Sequence, residues 1–242
     1  MNDSFDNSNE TVLCQGITLD NRGNIVNTKK YILYTNKLNF PYLDNWIENG
    51  LLFPFEYYQS SSNSYKVDFH ITPDKDARNH VVGIASHLFP QADSEIMTWN
   101  NLMESLMIPL ITVGVEYSEQ KLSRMSLYYF SPNEKGKKSE QISLCPQNKM
   151  DIINHRGLVD EILIQFIMMS DLKIVAIDIN HNNISTKFYC SWNKSNLRSF
   201  LQKYWPDIWK TLFDVHFFEK KILLTSIVNS ALSGKKLGFY YE

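Results

Sequence analysis

Polar and apolar residues alternate with a period of two in five short stretches of the chain, and the five superimpose position by position. They are Lys30-Tyr31-Ile32-Leu33-Tyr34, Lys66-Val67-Asp68-Phe69-His70, Arg124-Met125-Ser126-Leu127-Tyr128, Ser185-Thr186-Lys187-Phe188-Tyr189 and Lys236-Leu237-Gly238-Phe239-Tyr240. Side chains of a strand alternate between its faces, so the first, third and fifth positions of each stretch share one face. That face is cationic and phenolic. The other carries Leu33, Val67, Phe69, Met125, Leu127, Phe188, Leu237 and Phe239, as a strand packed beneath a helix requires. Any one copy reads as an ordinary half-buried strand; five copies in register point to a repeated unit.

Each copy is preceded by a partner strand, the five partners being Gly16 to Asp20, Phe53 to Tyr57, Val113 to Tyr117, Val175 to Ile179 and Leu223 to Ile227. Between partner and copy lie polar stretches such as Asn21-Arg22-Gly23-Asn24 and Asn180-His181-Asn182-Asn183, the composition of tight antiparallel turns. The unit is therefore a β-hairpin, recurring every 35 to 60 residues or so, which leaves room for helices between copies. The spacing of apolar positions predicts helices over 41–50, from Asp93 and Ser94 as caps to before Pro109, over 151–169 as one long amphipathic helix, from Ser195 to Tyr204, and from Pro206 to Phe213. Residues 73–90, with His80 and His87, read as a mixed connection. The longest break in pattern, Asn133 to Lys149, reads as a solvated loop, with a phosphate gate at Lys137 and Lys138 as the alternative.

The expected fold is α+β: a ten-stranded antiparallel β-barrel of five repeated helix-hairpin (αββα) units with helices outside. Closure satisfies both faces of the strands and removes two exposed edges, which an open sheet with helices on one side would leave. Residues 1–11, polar and acidic, read as a flexible lead and 12–242 as one domain.

Composition narrows the chemistry. A chain of 242 residues with 14 Phe, 13 Tyr and 5 Trp supports a sizeable core, and a net charge of −2 argues against a nucleic-acid or anionic-membrane partner. Cys14, Cys145 and Cys190 are far apart and lack CxxC spacing, so they read as reduced thiols of a cytoplasmic protein, expected to be a monomer. An aspartate-rich DDxxD run, a glycine-rich phosphate loop and GxSxG are all absent, and the spacing of His70, His80 and His87 is not that of a zinc site.

The five repeats, the terminal Lys236 to Tyr241 strand and Val67-Asp68-Phe69-His70-Ile71 resemble the ABBA-type aromatic prenyltransferases. That resemblance implies a barrel surrounding a reaction chamber, an allylic diphosphate donor carrying a dimethylallyl or geranyl group, and an aromatic acceptor, either a small molecule or a peptide side chain. On this reading Lys30, Lys66, Arg124, Lys187 and Lys236 bind the diphosphate, with Ser185 standing where the other copies have a base. Tyr34, Tyr128, Tyr189 and Tyr240 shield the allylic cation, and Asp20, Glu56, Glu116 and Asp178 compete for the role of base. Magnesium is left open, with Asp68 as its contact, because enough lysines can replace it. The physical rationale stands apart from the resemblance: charge-assisted hydrogen bonds hold a polyanion in a weakly screened cavity, and phenolic rings stabilise a nearby carbocation. A non-catalytic barrel binding a small aromatic or anionic ligand is the alternative, with a protein-interaction scaffold third.

Overall fold

The computed structural model describes residues 11–33, 43–61, 64–119, 121–130, 144–157, 160–181, 183–230 and 234–242. Ten strands form one antiparallel sheet: β1 (Thr11–Asp20), β2 (Ile25–Leu33), β3 (Leu52–Ser61), β4 (Ser64–Ile71), β5 (Leu110–Ser118), β6 (Lys121–Phe130), β7 (Asp171–Asn180), β8 (Asn183–Ser191), β9 (Ile222–Ser230) and β10 (Gly234–Tyr241). Their order is that of a closed barrel, in which the ladder from β1 to β10 joins the ends of the sequence. Between β2 and β3 the described pairing is confined to Ile32 with Tyr57 and Leu33 with Glu56.

Seven helices among the described residues occupy the links between hairpins: α1 (Asp44–Glu48), α2 (Lys75–Leu88), α3 (Asp93–Ser105), α4 (Pro146–Arg156), α5 (Glu161–Met169), α6 (Lys194–Tyr204) and α7 (Pro206–Asp214). None is long and apolar enough to cross a membrane. The core lies between them and the sheet. Val67, Phe69, Met125, Leu127, Phe188, Leu237 and Phe239 are all buried there, as the alternation requires. Helical aromatics meet them: Phe166 packs on Trp192, Phe200 and Trp205 at 5.0–5.6 Å between ring centres, and Phe217 meets Phe239 at 5.2 Å.

Two expectations need correction. Residues 75–88, read as a mixed connection, form α2, opened by the Asp74 carboxylate accepting from the Asp76 amide. Its buried residues, Ala77, Val81, Val82, Ile84 and Ala85, are small or β-branched, so the helical period carries little hydrophobic contrast. The long helix over 151–169 is two helices. Gly157, at φ +64°, closes α4 in a left-handed cap, and Asp160 opens α5 by accepting from the Leu163 amide at 2.8 Å. Lys149, expected in a loop, lies within α4, and its buried ammonium donates to the carbonyls of Met168 and Ser170 at the end of α5. Nearby, burial pushes the Cys190 thiol up to about 12. Lys137, Lys138 and residues 1–10 lie outside the described residues.

Candidate functional site

Opposite the helix-packed face, β4, β5, β6, β7, β8 and β10 bring together the polar positions of the repeat. Register places them. Lys66 pairs with Glu116, Glu116 with Arg124, Asp68 with Gly114, Gly114 with Ser126, and Ser126 with Asp178. Directly paired residues share a face, so these residues line one continuous inner wall. Lys187, paired with Ala176 and Val228, continues it onto β8.

The contacts within this wall are dense. The Lys66 ammonium lies 2.8 Å from Asp68 Oδ1 and 3.1 Å from Oδ2, and it donates to the Tyr128 hydroxyl. Burial alone would lower its affinity for a proton, but Asp68 and Tyr128 outweigh burial and hold it above the ordinary lysine range. Lys66 is thus a fixed ammonium. Burial, reinforced by Asp68, keeps the Tyr128 phenol protonated well above its usual range, so it remains a donor. Arg124 bridges to Glu116, and the Ser126 hydroxyl donates to Asp178 Oδ1 at 2.6 Å. Burial would raise Asp178, yet Arg124 first, then Lys187, the Ser126 hydrogen bond and Lys66, bring it below the normal carboxylate range. On β8 and β10, Lys187 Nζ donates to the Tyr240 hydroxyl at 3.1 Å and sits 4.6 Å from the centre of the Tyr189 ring. Tyr128, Tyr189 and Tyr240 form a row with successive centroids 6.0 Å apart.

Glycines make room for this wall. A Cβ on Gly114 would fall 2.3 Å from Asp68 Oδ1 and 2.7 Å from Lys66 Cε, so the Lys66–Asp68 pair occupies the space a side chain would fill. Neither Gly114 nor Ser126 was picked out by charge pattern. The signal for both was positional, since each sits in its strand at the same alternation as the charged residues.

Not every expected residue joins the wall. Lys30 pairs with Gln15, next to Lys29 paired with Gly16, and Gly16 pairs in turn with Tyr240 of the inner wall. The inner register position therefore belongs to Lys29 rather than Lys30, one residue out of phase with the sequence reading, and a one-residue shift exchanges the faces. Leu33, expected among the helix-packed residues, pairs with Glu56 and moves to the inner register for the same reason. Asp20 is taken up by its own turn: its carboxylate accepts from the Arg22 and Asn24 amides at 2.8 and 2.9 Å and from the Asn24 side chain at 2.8 Å. Those bonds, led by that of the Asn24 side chain, lower its proton affinity and leave it as a turn-former. Lys236 pairs with Asp20 at the same rim. Glu56 pairs with Asp68 across a bulge at Phe55, and Tyr34 lies outside the described residues. Asp68 is engaged by the Lys66 ammonium. Among the described residues no three His, Cys, Asp or Glu side chains gather to hold a metal ion.

Chemically, the wall offers fixed ammonium and guanidinium groups, neutral phenols and three carboxylates, of which Asp68 and Glu116 are paired with cations and Asp178 accepts from Ser126. No family model matches the chain, and no curated protein matches it in sequence. The chain is similar to the crystal structure of AnaPT from Neosartorya fischeri, with a TM-score of 0.63, over 95% of this chain and 77% of that one. At 10% identity the likeness is one of fold alone.

Proposed function

We propose that the protein is an aromatic prenyltransferase that carries a dimethylallyl or geranyl group from its diphosphate to an aromatic acceptor held inside the ring of strands. The observation that carries this reading is the convergence of Lys66, Arg124 and Lys187 with the row Tyr128, Tyr189 and Tyr240 on a single face. Support comes from the fold shared with AnaPT, an ABBA aromatic prenyltransferase, and from the resemblance of the repeats to that family. Lys187 and Arg124, which both act on Asp178, take the diphosphate oxygens together with Lys236 at the rim. The carbon–oxygen bond of the donor breaks, diphosphate leaves with the electron pair, and the allylic cation is held against the phenolic row. The acceptor ring forms the new bond through its π electrons, and Asp178 removes the ring proton. No step runs through a metal.

Calorimetric titration with the thio-analogues of dimethylallyl and geranyl diphosphate tests the reading. Saturable binding, lost in Lys187→Met, is the expected result; absence of binding by either analogue overturns it. A second reading, a non-catalytic barrel for a small aromatic or anionic ligand, is favoured by one observation: Lys66 and Arg124 already face Asp68 and Glu116, so much of the cationic charge is matched before any ligand arrives. Turnover of an allylic diphosphate separates the two.

A further inference from the structure

The inner row to which Tyr128 belongs continues past β6. Tyr128 pairs with Thr112, Thr112 with His70 and His70 with Phe53, so the row reaches β3 at the end of the strands where the helices join them. Phe53 is the second residue of β3 and His70 the last but one of β4, which puts both at the rim. Exposure changes along the wall. Tyr128 is 8% and Tyr240 9% exposed, but Phe53 is 52% exposed and His70 is exposed beside it. Partial burial lowers the proton affinity of the His70 ring, against the pull of the Asp68 charge, so it brings no charge to the rim at neutral pH. The Phe53 ring reaches the turn at Gly50, its Cζ 4.0 Å from where a Cβ on that glycine would stand.

Beneath this rim the wall is closed. Asp68 stands two residues inward on β4, about 7 Å along the strand. Its partner Lys66 is bonded in turn to Tyr128, and the Lys66 and Asp68 side chains are 13% and 12% exposed. Displacing that cluster would strip a carboxylate of its ammonium, so it acts as a floor. Between floor and rim lies the depth of a single aromatic side chain.

We propose that Phe53 selects the acceptor: an aromatic side chain of a peptide, its ring inside the rim toward Tyr128 and an apolar neighbouring residue of the peptide seated on Phe53. The inference rests on the prenyl-transfer reading. A free aromatic small enough to lie between floor and rim leaves Phe53 in water. A ring borne on a chain brings flanking residues across Phe53 and removes its apolar surface from water. With a neutral imidazole beside it, this part of the rim selects by apolar contact and not by charge.

Product formation with dimethylallyl and geranyl diphosphate, followed by mass spectrometry, tests this with three acceptors: p-cresol, and acetylated tripeptide amides holding tyrosine between two glycines or between two leucines. The kcat/KM is expected to rise in that order, with about tenfold between the two peptides, as partial burial of a leucine side chain gives. Phe53→Ala is expected to close that gap by raising the KM of the leucine-flanked peptide at an unchanged kcat, and Phe53→Leu to keep most of it. Circular dichroism checks that both variants are folded. The proposal is overturned if p-cresol matches the peptides, if the parent uses the two peptides equally, or if Phe53→Ala keeps the gap. Binding of the thio-analogues without product from either peptide overturns it and leaves the prenyl-transfer reading standing; no binding of the thio-analogues overturns both.

Discussion

The two halves of the inner wall use the same residue types differently. On β4, β5 and β6, Lys66 faces Asp68 and Arg124 faces Glu116, so each cation has a carboxylate at hand. On β8 and β10, Lys187 is hydrogen-bonded to the Tyr240 phenol and lies over the Tyr189 ring. A phenol does not neutralise an ammonium, and the carboxylate that Lys187 acts on, Asp178, is one that it shares with Arg124 and Lys66. Charge count along the sequence does not distinguish these halves; partnership does.

Breaking the Lys66 pair should produce the largest effect. Lys66→Met leaves Asp68 buried without its ammonium and should lower stability by about 3–5 kcal/mol in chemical denaturation. The double variant Lys66→Met with Asp68→Leu should recover most of that loss, and failure to recover would show that the pair is not what Asp68 depends on. Next comes Gly114→Ala, whose methyl collides with that same pair and should cost about 1–3 kcal/mol. In the other half, Lys187→Met removes one exchangeable hydrogen bond and should cost only about 1 kcal/mol, while binding of the thio-analogues falls by about tenfold or more. A stability loss there as large as that of Lys66→Met would erase the distinction between the halves.

The smallest effect concerns pH. Asp178 binds its proton less readily in the folded protein than an ordinary aspartate does, so its contribution is present above the unfolded value of about 3.9 and is lost as pH falls through the lower folded value. In that window the unfolded chain holds more protons, and stability rises with pH. Asp178→Asn should therefore show a shallower rise between the two values in denaturation followed at a series of acidic pH points. An unchanged slope would place the charge of Asp178 outside the cluster.

How far the amino-acid sequence reveals this arrangement differs from element to element. The strands of β4, β6, β8 and β10 are legible because alternation is local and holds across the five residues of each repeat. Lys30 is the exception: adjacent Lys29 and Lys30 give the alternation two possible phases, and only the pairing with β1 chooses between them. The break at Gly157 was written in the chain as a glycine followed by an aspartate three residues on, but the apolar stripe continued across it and masked the stop. For α2 the reverse holds, since its buried residues are too small to advertise a stripe. Partnership among the charges was the least legible of all. Which carboxylate faces which ammonium depends on how six strands from distant parts of the chain are registered, and only the folded ladder carries that information.

The buried thiol of Cys190 turns this barrel into its own clock. Fully buried beside Ser170 and Lys149 and held protonated far above neutrality, it should meet an alkylating reagent only when its surroundings open, while Cys145 on the surface should react first. The lag between the two modifications, followed peptide by peptide, is a direct reading of how often the wall comes open.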